Sequence, residues 1–172
     1  MQLETELCLL RPWRMADAGG LAAGINNRNV SINLRDAVPH PYTVNDAIAY
    51  LERVTTPQPE HAVCIEVDGR VSGGMSIRIG SDINRRTAEL GYWLAEPLWG
   101  RGIMTAAVRA FVPACLEEFD LDRIFATASS KNPASARVLE KAGLTFEGRL
   151  RKNLIKGGEV LDSLMFAWIR ED

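Results

Sequence analysis

Gly100 and Gly102 stand two apart in EPLWGRGIMTAA (96–107), where an apolar strand-like run gives way to an apolar helix-like run. A glycine pair in such a place serves a tight strand-to-helix turn, or a backbone that a ligand must approach closely. The chemistry on offer is anion binding. The first turn of a helix leaves about four N–H groups unpaired, and the helix dipole adds roughly half a positive charge there. With no Cβ in the way, successive amides can wrap a pyrophosphate. Spacing separates the known phosphate cradles. A P-loop needs Gly-Lys-Ser/Thr after four intervening residues, and GRGIMT has no such lysine. The dinucleotide fingerprint needs a third glycine where Thr105 stands, inside a parallel strand–helix–strand unit, whereas the strands preceding this turn read as antiparallel. What is left is a plain turn, or a pyrophosphate-bearing ligand that uses neither motif. His40 and His61 sit apart from any Ser or Cys motif, so a nucleophilic triad has no support. Cys8, Cys64 and Cys115 lie scattered in apolar runs and read as buried reduced thiols, not as a disulfide or zinc framework.

The elements that must position this turn follow from periodicity. ELCLLR (6–11) reads as a first strand and residues 16–27 as a glycine-weakened helix. TVNDAIAYLERV (43–54) is a stronger helix, with Thr43 as cap, Asp46 three residues on, and Ala47, Ile48, Leu51 and Val54 at helical spacing. Residues 61–80 form two strands around Asp68-Gly69, a hairpin dipeptide, and TAELGYWLAE (87–96) extends the meander. Residues 102–119 carry two apolar rows, a wide buried stripe, with Pro113 expected to kink it. RIFATASS (123–130) is a strand. NPASARVLEKAG (132–143) is a helix with Asn132 as cap, Pro133 at its first position and Gly143 past its end. Strands near 145–150 and 160–168 close the chain around KGGE. This order gives a mixed sheet with helices on its faces.

The bulk numbers bound the answer. A chain of 172 residues, 47% hydrophobic and 24% charged, reads as one domain spanning 1–172. A net charge of −2 offers nothing to nucleic acid or an anionic membrane surface. No apolar run approaches the ~20 residues of a membrane span. The opening MQLETELCLLRPWRMAD reads without a signal peptide, so a cytoplasmic location is expected.

Three stretches, LCLLRPWRMAD, AELGYWLAEPLWGRGIMTAAVRAF and NPASARVLEKAGLTFEGRLRKN, resemble the GNAT superfamily of acyl-CoA-dependent N-acetyltransferases, in particular its RimJ/RimL-like branch. They span most of the chain in the order read above. The family's pyrophosphate motif is Arg/Gln-x-x-Gly-x-Gly/Ala. Here Trp99 takes its first position, Gly102 fits and Met104 replaces the last small residue, a variant similar to that of the RimJ/RimL branch. The resemblance implies an α/β (α+β) fold with a mixed, mostly antiparallel sheet, helices on both faces and a V-shaped splay between the fourth and fifth strands. It also implies acetyl-CoA as cosubstrate, no metal, and an amine acceptor, either a ribosomal or other protein N-terminus or a small molecule. A homodimer through a strand edge is compatible with it.

By the same resemblance, pantetheine amides pair with the main chain near Trp93, Leu94 and Ala95. The pyrophosphate meets the N–H groups of Gly100, Arg101, Gly102, Ile103, Met104 and Thr105, with the Arg101 and Lys131 side chains able to screen it. Asn132 caps its helix and touches pantetheine. Acyl transfer requires a neutral amine and help for the departing thiolate. Glu89 shares a strand face with Gly91 and Trp93 and matches a family base, but a cross-strand ion pair would explain it equally. The helix position where many relatives carry a tyrosine is Leu139. Ser135 matches a serine that RimL-type enzymes hold near the coenzyme sulfur, and it lies with Val138, Leu139 and Ala142 on an inward stripe, although it could merely help cap the helix. The aperiodic stretch 26–42 would lie over the acceptor end, with Arg28, Asn33 and Tyr42 as acceptor contacts or ordinary loop residues. A non-catalytic acyl-CoA sensor or scaffold on the same fold is the competing expectation.

Overall fold

The structure, a computed structural model, describes residues 1–56 and 60–171. Two short strands open the chain, β1 (Leu3–Glu4) and β2 (Leu9–Pro12), where the sequence suggested one. Thr5 divides them: its Oγ1 accepts the N–H groups of Leu7 and Cys8 at 3.1 and 2.9 Å and turns the chain between. After one 3₁₀ turn come α1 (Ala18–Ile25), the single turn α2 (Arg28–Ser31) and α3 (Val44–Val54). Thr43 and Asp46 form the expected capping box on α3, whose Ala47 and Leu51 are buried. α2 was not visible in the sequence because one turn cannot display a period; Asn27 Oδ1 caps it by accepting the Asn29 N–H at 2.8 Å.

A meander follows, β3 (Glu60–Val67), β4 (Arg70–Ile79) and β5 (Thr87–Leu94). Asp68 and Gly69 turn the first hairpin with φ of 50° and 72°, as the dipeptide predicts. The helix α4 (Ile103–Glu118) buries both expected rows and runs unbroken past Pro113, which sits on its exposed side. The chain closes with β6 (Arg123–Ser129), α5 (Pro133–Ala142), β7 (Thr145–Lys156) and β8 (Glu159–Ile169). The last two are longer than their alternation suggested. The β7–β8 register slips between Leu150 and Leu154, and Lys152 takes a left-handed φ of 53°, so the period of two is lost midway.

The eight strands form one sheet in the order β1-β2-β3-β4-β5-β6-β8-β7, all neighbours antiparallel except β5 and β6. That parallel pair is joined only at Thr87–Arg123, Ala88–Ile124 and Glu89–Phe125. Beyond Glu89 the strands part, which is the expected splay; with the short β1 counted, it lies between the fifth and sixth strands. α1 and α3 cover one face over Trp13, Leu21, Ala47, Leu51 and Cys64. α4 and α5 cover the other over Met75, Ile77, Leu90, Phe111, Leu139 and Phe166. The three cysteines are buried and free. Among the described residues no helix is long and apolar enough to cross a membrane.

A buried ion network fixes the start of the sheet. The Arg11 guanidinium donates to both Asp17 oxygens at 2.8 and 2.9 Å and to Glu66 at 2.6 Å, and Asp17 also accepts the Arg14 N–H. Arg11 is 4% exposed and Asp17 7%. This ties β2, the entry to α1, and β3 together.

Candidate active site

The glycine turn grows out of the end of β5. One 3₁₀ turn (Glu96–Leu98) follows the strand, and Trp99 Nε1 donates back to the Leu94 carbonyl at 2.8 Å. Gly100 and Gly102 then adopt left-handed φ of 76° and 78°. The space beside them is open: a Cβ on Gly100 would meet nothing within 4 Å, and one on Gly102 only Leu7 Cδ1 at 3.6 Å. Handedness, not crowding, therefore demands glycine here. The Gly102 carbonyl accepts the first helical bond from Ala106, but among the described residues nothing accepts the N–H groups of residues 100–105. Six donors at the positive end of a 16-residue helix are left for something else. Ile103 and Met104 are buried and belong to the core under α4. The Gly102→Ala variant is expected to lose about 1–2 kcal/mol of stability from its backbone alone and to bind coenzyme A more weakly; a denaturant midpoint and a titration check the two effects separately.

The splay presents a strand edge inside the sheet. Bonds at both ends of the β4–β5 ladder set its phase: Gly80 N–H to the Thr87 carbonyl and Ala95 N–H to the Ser72 carbonyl, each 2.8 Å. Bonded pairs alternate, so Trp93 and Ala95 turn their main-chain groups to β4, while Tyr92 and Leu94 turn theirs to the gap. This corrects the expected pantetheine contacts. Ala95 is already bonded and does not line the cleft, the Leu94 carbonyl is taken by Trp99, and the groups left facing the gap are the Leu94 N–H and both main-chain groups of Tyr92. Trp93 instead wedges its ring against Gly24 and Gly74, where a Cβ would come within 3.1 and 2.8 Å of it.

On the α4/α5 side of the gap, Tyr92 Oη lies 2.8 Å from Ser135 Oγ and 3.3 Å from the Ser135 carbonyl. Asn132 Oδ1 caps α5 by accepting the Ser135 N–H at 3.1 Å, so the serine hydroxyl is not the cap. Burial pushes the Tyr92 phenol up to about 12, against the smaller opposing effect of its bond to Ser135, and it remains a donor at neutral pH. Leu139, where a tyrosine would stand in many relatives, is wholly buried. Sequence reasoning missed Tyr92; its place between Gly91 and Trp93, on the opposite strand face from Glu89, was the available signal.

On the other side, Glu89 Oε2 accepts from Arg35 Nη2 at 2.8 Å. The partner is therefore not the cross-strand neighbour, Arg78, but a residue of the aperiodic stretch. That stretch straps the cleft. Glu96 holds Asn27 and Asn29 at 2.6 and 2.7 Å, and Lys156 Nζ donates to the Leu34 carbonyl and to Asp36, each at 2.7 Å. Asn33 lines the cleft and donates to the Asn29 carbonyl. Tyr42 reaches the cleft wall but is 7% exposed and belongs chiefly to the core under α1 and α3. Two expected contacts are not brought in. Arg28, exposed on α2, and Arg101, exposed in the turn, are not among the residues that line the cleft. Lys131 lines the cleft with its ammonium bonded to Glu159 at 2.5 Å.

Comparison with known proteins adds independent findings. Residues 8–145 match the model of the Acetyltransferase (GNAT) domain. The chain is 36% identical over 124 residues to the Bacillus subtilis (strain 168) "Probable N-acetyltransferase YjcK", covering 72% of this chain and 68% of that protein. It is 33% identical over 105 residues to the "Putative ribosomal N-acetyltransferase YdaF" of the same organism, a match spanning 61% of this chain and only 57% of the relative's length. Among solved structures, Mycobacterium smegmatis RimJ in complex with CoA-disulfide superposes with a TM-score of 0.83 at 26% identity, over 94% of this chain and 81% of that one.

Proposed function

The chain belongs to the acetyltransferase (GNAT) family, and from that premise we propose that it is a cytoplasmic enzyme that transfers an acetyl group from acetyl-CoA to a primary amine, either a protein N-terminal α-amine or a small-molecule amine. One observation carries the reading. The unclaimed main-chain donors of residues 100–105 adjoin the unpaired edge of β5 at Tyr92 and Leu94. Such a surface suits a ligand with a pyrophosphate at one end and amides along its length, since the edge can pair with amides as a strand would. Acetyl-CoA is such a ligand, and it supplies the activated acyl group.

The side chains divide the remaining work across the gap. Glu89, on the α1/α3 face, takes the proton of the attacking amine. An α-amine with a pKa of about 7.7–8.0 is already partly neutral near pH 7, so a mild base suffices. Ser135, on the α4/α5 face, donates to the departing thiolate, and Tyr92 orients its hydroxyl by donating to Oγ. Direct attack fits better than an acyl-enzyme. Burial raises all three cysteine thiols, Cys64 to about 12, which leaves them in the unreactive protonated form.

The test is thiol release from acetyl-CoA across peptides, free amino acids, polyamines and aminoglycosides. Turnover with at least one amine is expected. Coenzyme binding without release in any of them would mark a sensor or scaffold instead. In the same assay Tyr92→Phe should lower kcat about fivefold, the worth of one hydrogen bond of about 1 kcal/mol, with a smaller change in the KM for acetyl-CoA. Ser135→Ala should lower it at least as much.

A further inference from the structure

The Arg35–Glu89 ion pair stands where the proposed reaction needs an accessible carboxylate. An amine acceptor arrives largely as ammonium, so at Glu89, whose Oε2 already accepts from Arg35, it competes with that guanidinium for a single negative charge. Whether it yields the carboxylate or shares it, the Arg35 guanidinium would then lie close to a second cation, with a third nearby. Arg78 sits opposite Glu89 in the ladder, and opposite Glu60 on its other side. Among the described residues no ion pair or hydrogen bond engages the Arg78 side chain.

An acceptor that brings its own anion removes this conflict. Arg35 is well placed to receive one. It lines the cleft with a side chain 60% exposed, and only its Nη2 is engaged, leaving most of its five N–H donors available. Its backbone is held on both sides: Lys156 binds the Leu34 carbonyl and the Asp36 carboxylate, and Val38 N–H donates to the Arg35 carbonyl at 3.0 Å. The side chain can therefore swing from a fixed root. A planar guanidinium matches a carboxylate with two parallel hydrogen bonds, which a lysine cannot reproduce.

We propose that Arg35 selects acceptors carrying a carboxylate close to the amine, so that binding exchanges one ion pair for two: ammonium with Glu89, and carboxylate with Arg35. The proposal rests on the reading of Glu89 as the group that receives the amine. The carboxylate has two chemical sources, the α-carboxylate of a free amino acid and the side chain of an acidic first residue in a peptide.

Two matched pairs test it: L-alanine against L-alaninamide, and a peptide beginning with Asp against its Asn counterpart. The quantity read is the ratio of kcat/KM within each pair, compared between wild type and variant so that differences in amine basicity cancel. Arg35→Ala should lower the carboxylate-to-amide ratio about tenfold or more in at least one pair, as loss of a charge-assisted hydrogen bond predicts, and the responding pair identifies the source. Arg35→Lys should retain part of the ratio. A ratio that moves less than about threefold in both pairs overturns the proposal, because that is under 1 kcal/mol. If the ratio persists while Glu89→Gln still lowers kcat, the Arg35 assignment alone is rejected. If Glu89→Gln leaves kcat intact, the underlying reading of Glu89 fails and the two-pair exchange fails with it.

Discussion

Glu89→Gln is expected to lower kcat by about 10²–10⁴-fold, the usual contribution of a positioned general base, with coenzyme affinity little changed. The substitution keeps the shape of the side chain and removes its charge. It also turns the ion pair with Arg35 into at most a weaker hydrogen bond, but that pair is largely exposed and worth only about 0–1 kcal/mol. The protein should therefore stay folded, and a loss of rate can be assigned to chemistry. Raising the pH supplies neutral amine without a base, so the deficit should narrow between about pH 7 and 9 for an α-amine. Thiol release measured over that range checks both parts. A kcat near that of wild type at pH 7 would remove Glu89 from the mechanism.

The second large effect concerns the frame. Arg11→Ala should cost about 3–5 kcal/mol of folding stability, because it strands a buried carboxylate. Burial pushes Asp17 upward, but its bonds from Arg11 and from the Arg14 N–H outweigh this and hold it below the usual carboxylate range. A depressed folded pKa means that the pair contributes fully above the unfolded value of about 3.9 and is lost as pH falls through the folded one. Without Arg11 the sign reverses. Asp17 is then buried and unpaired, its folded pKa rises, and stability declines as pH rises through the weakly acidic range. Denaturant melts of both proteins at about pH 3 and pH 6 should show opposite trends; parallel trends would mean that Asp17 does not depend on Arg11.

What the sequence disclosed was local. The capping box of α3, the Asp68-Gly69 hairpin, the two rows of α4, and the Asn132, Pro133 and Gly143 signals around α5 are each written within a few residues, and all appear as expected. The glycine turn, and the inward position of Ser135 on α5, were legible for the same reason. The remaining site features are long-range. Tyr92 meets Ser135 across 43 residues, and Arg35 meets Glu89 across 54. Which β5 amides face the gap depends on the bonding phase of the β4–β5 ladder, and alternation of side chains does not reveal that phase. Ala95 was misassigned on this account. Arg28 and the side chain of Arg101 are not among the residues lining the cleft, because position in a stretch without periodicity does not fix the direction of a side chain.

The strap formed by residues 26–38 is fastened to the rest of the molecule by side-chain polar ties at Glu89, Glu96 and Lys156 and by apolar contacts of Val30, Leu34 and Val38 with the core under α1 and α3. The main-chain donors proposed for the coenzyme lie elsewhere, on β5 and at the start of α4. On the proposed reading, acceptor preference would be a separable inheritance. Point changes within one contiguous surface segment would then redirect the enzyme toward a new amine, while an acyl-donor half held mainly by backbone would offer few side chains for such changes to disturb.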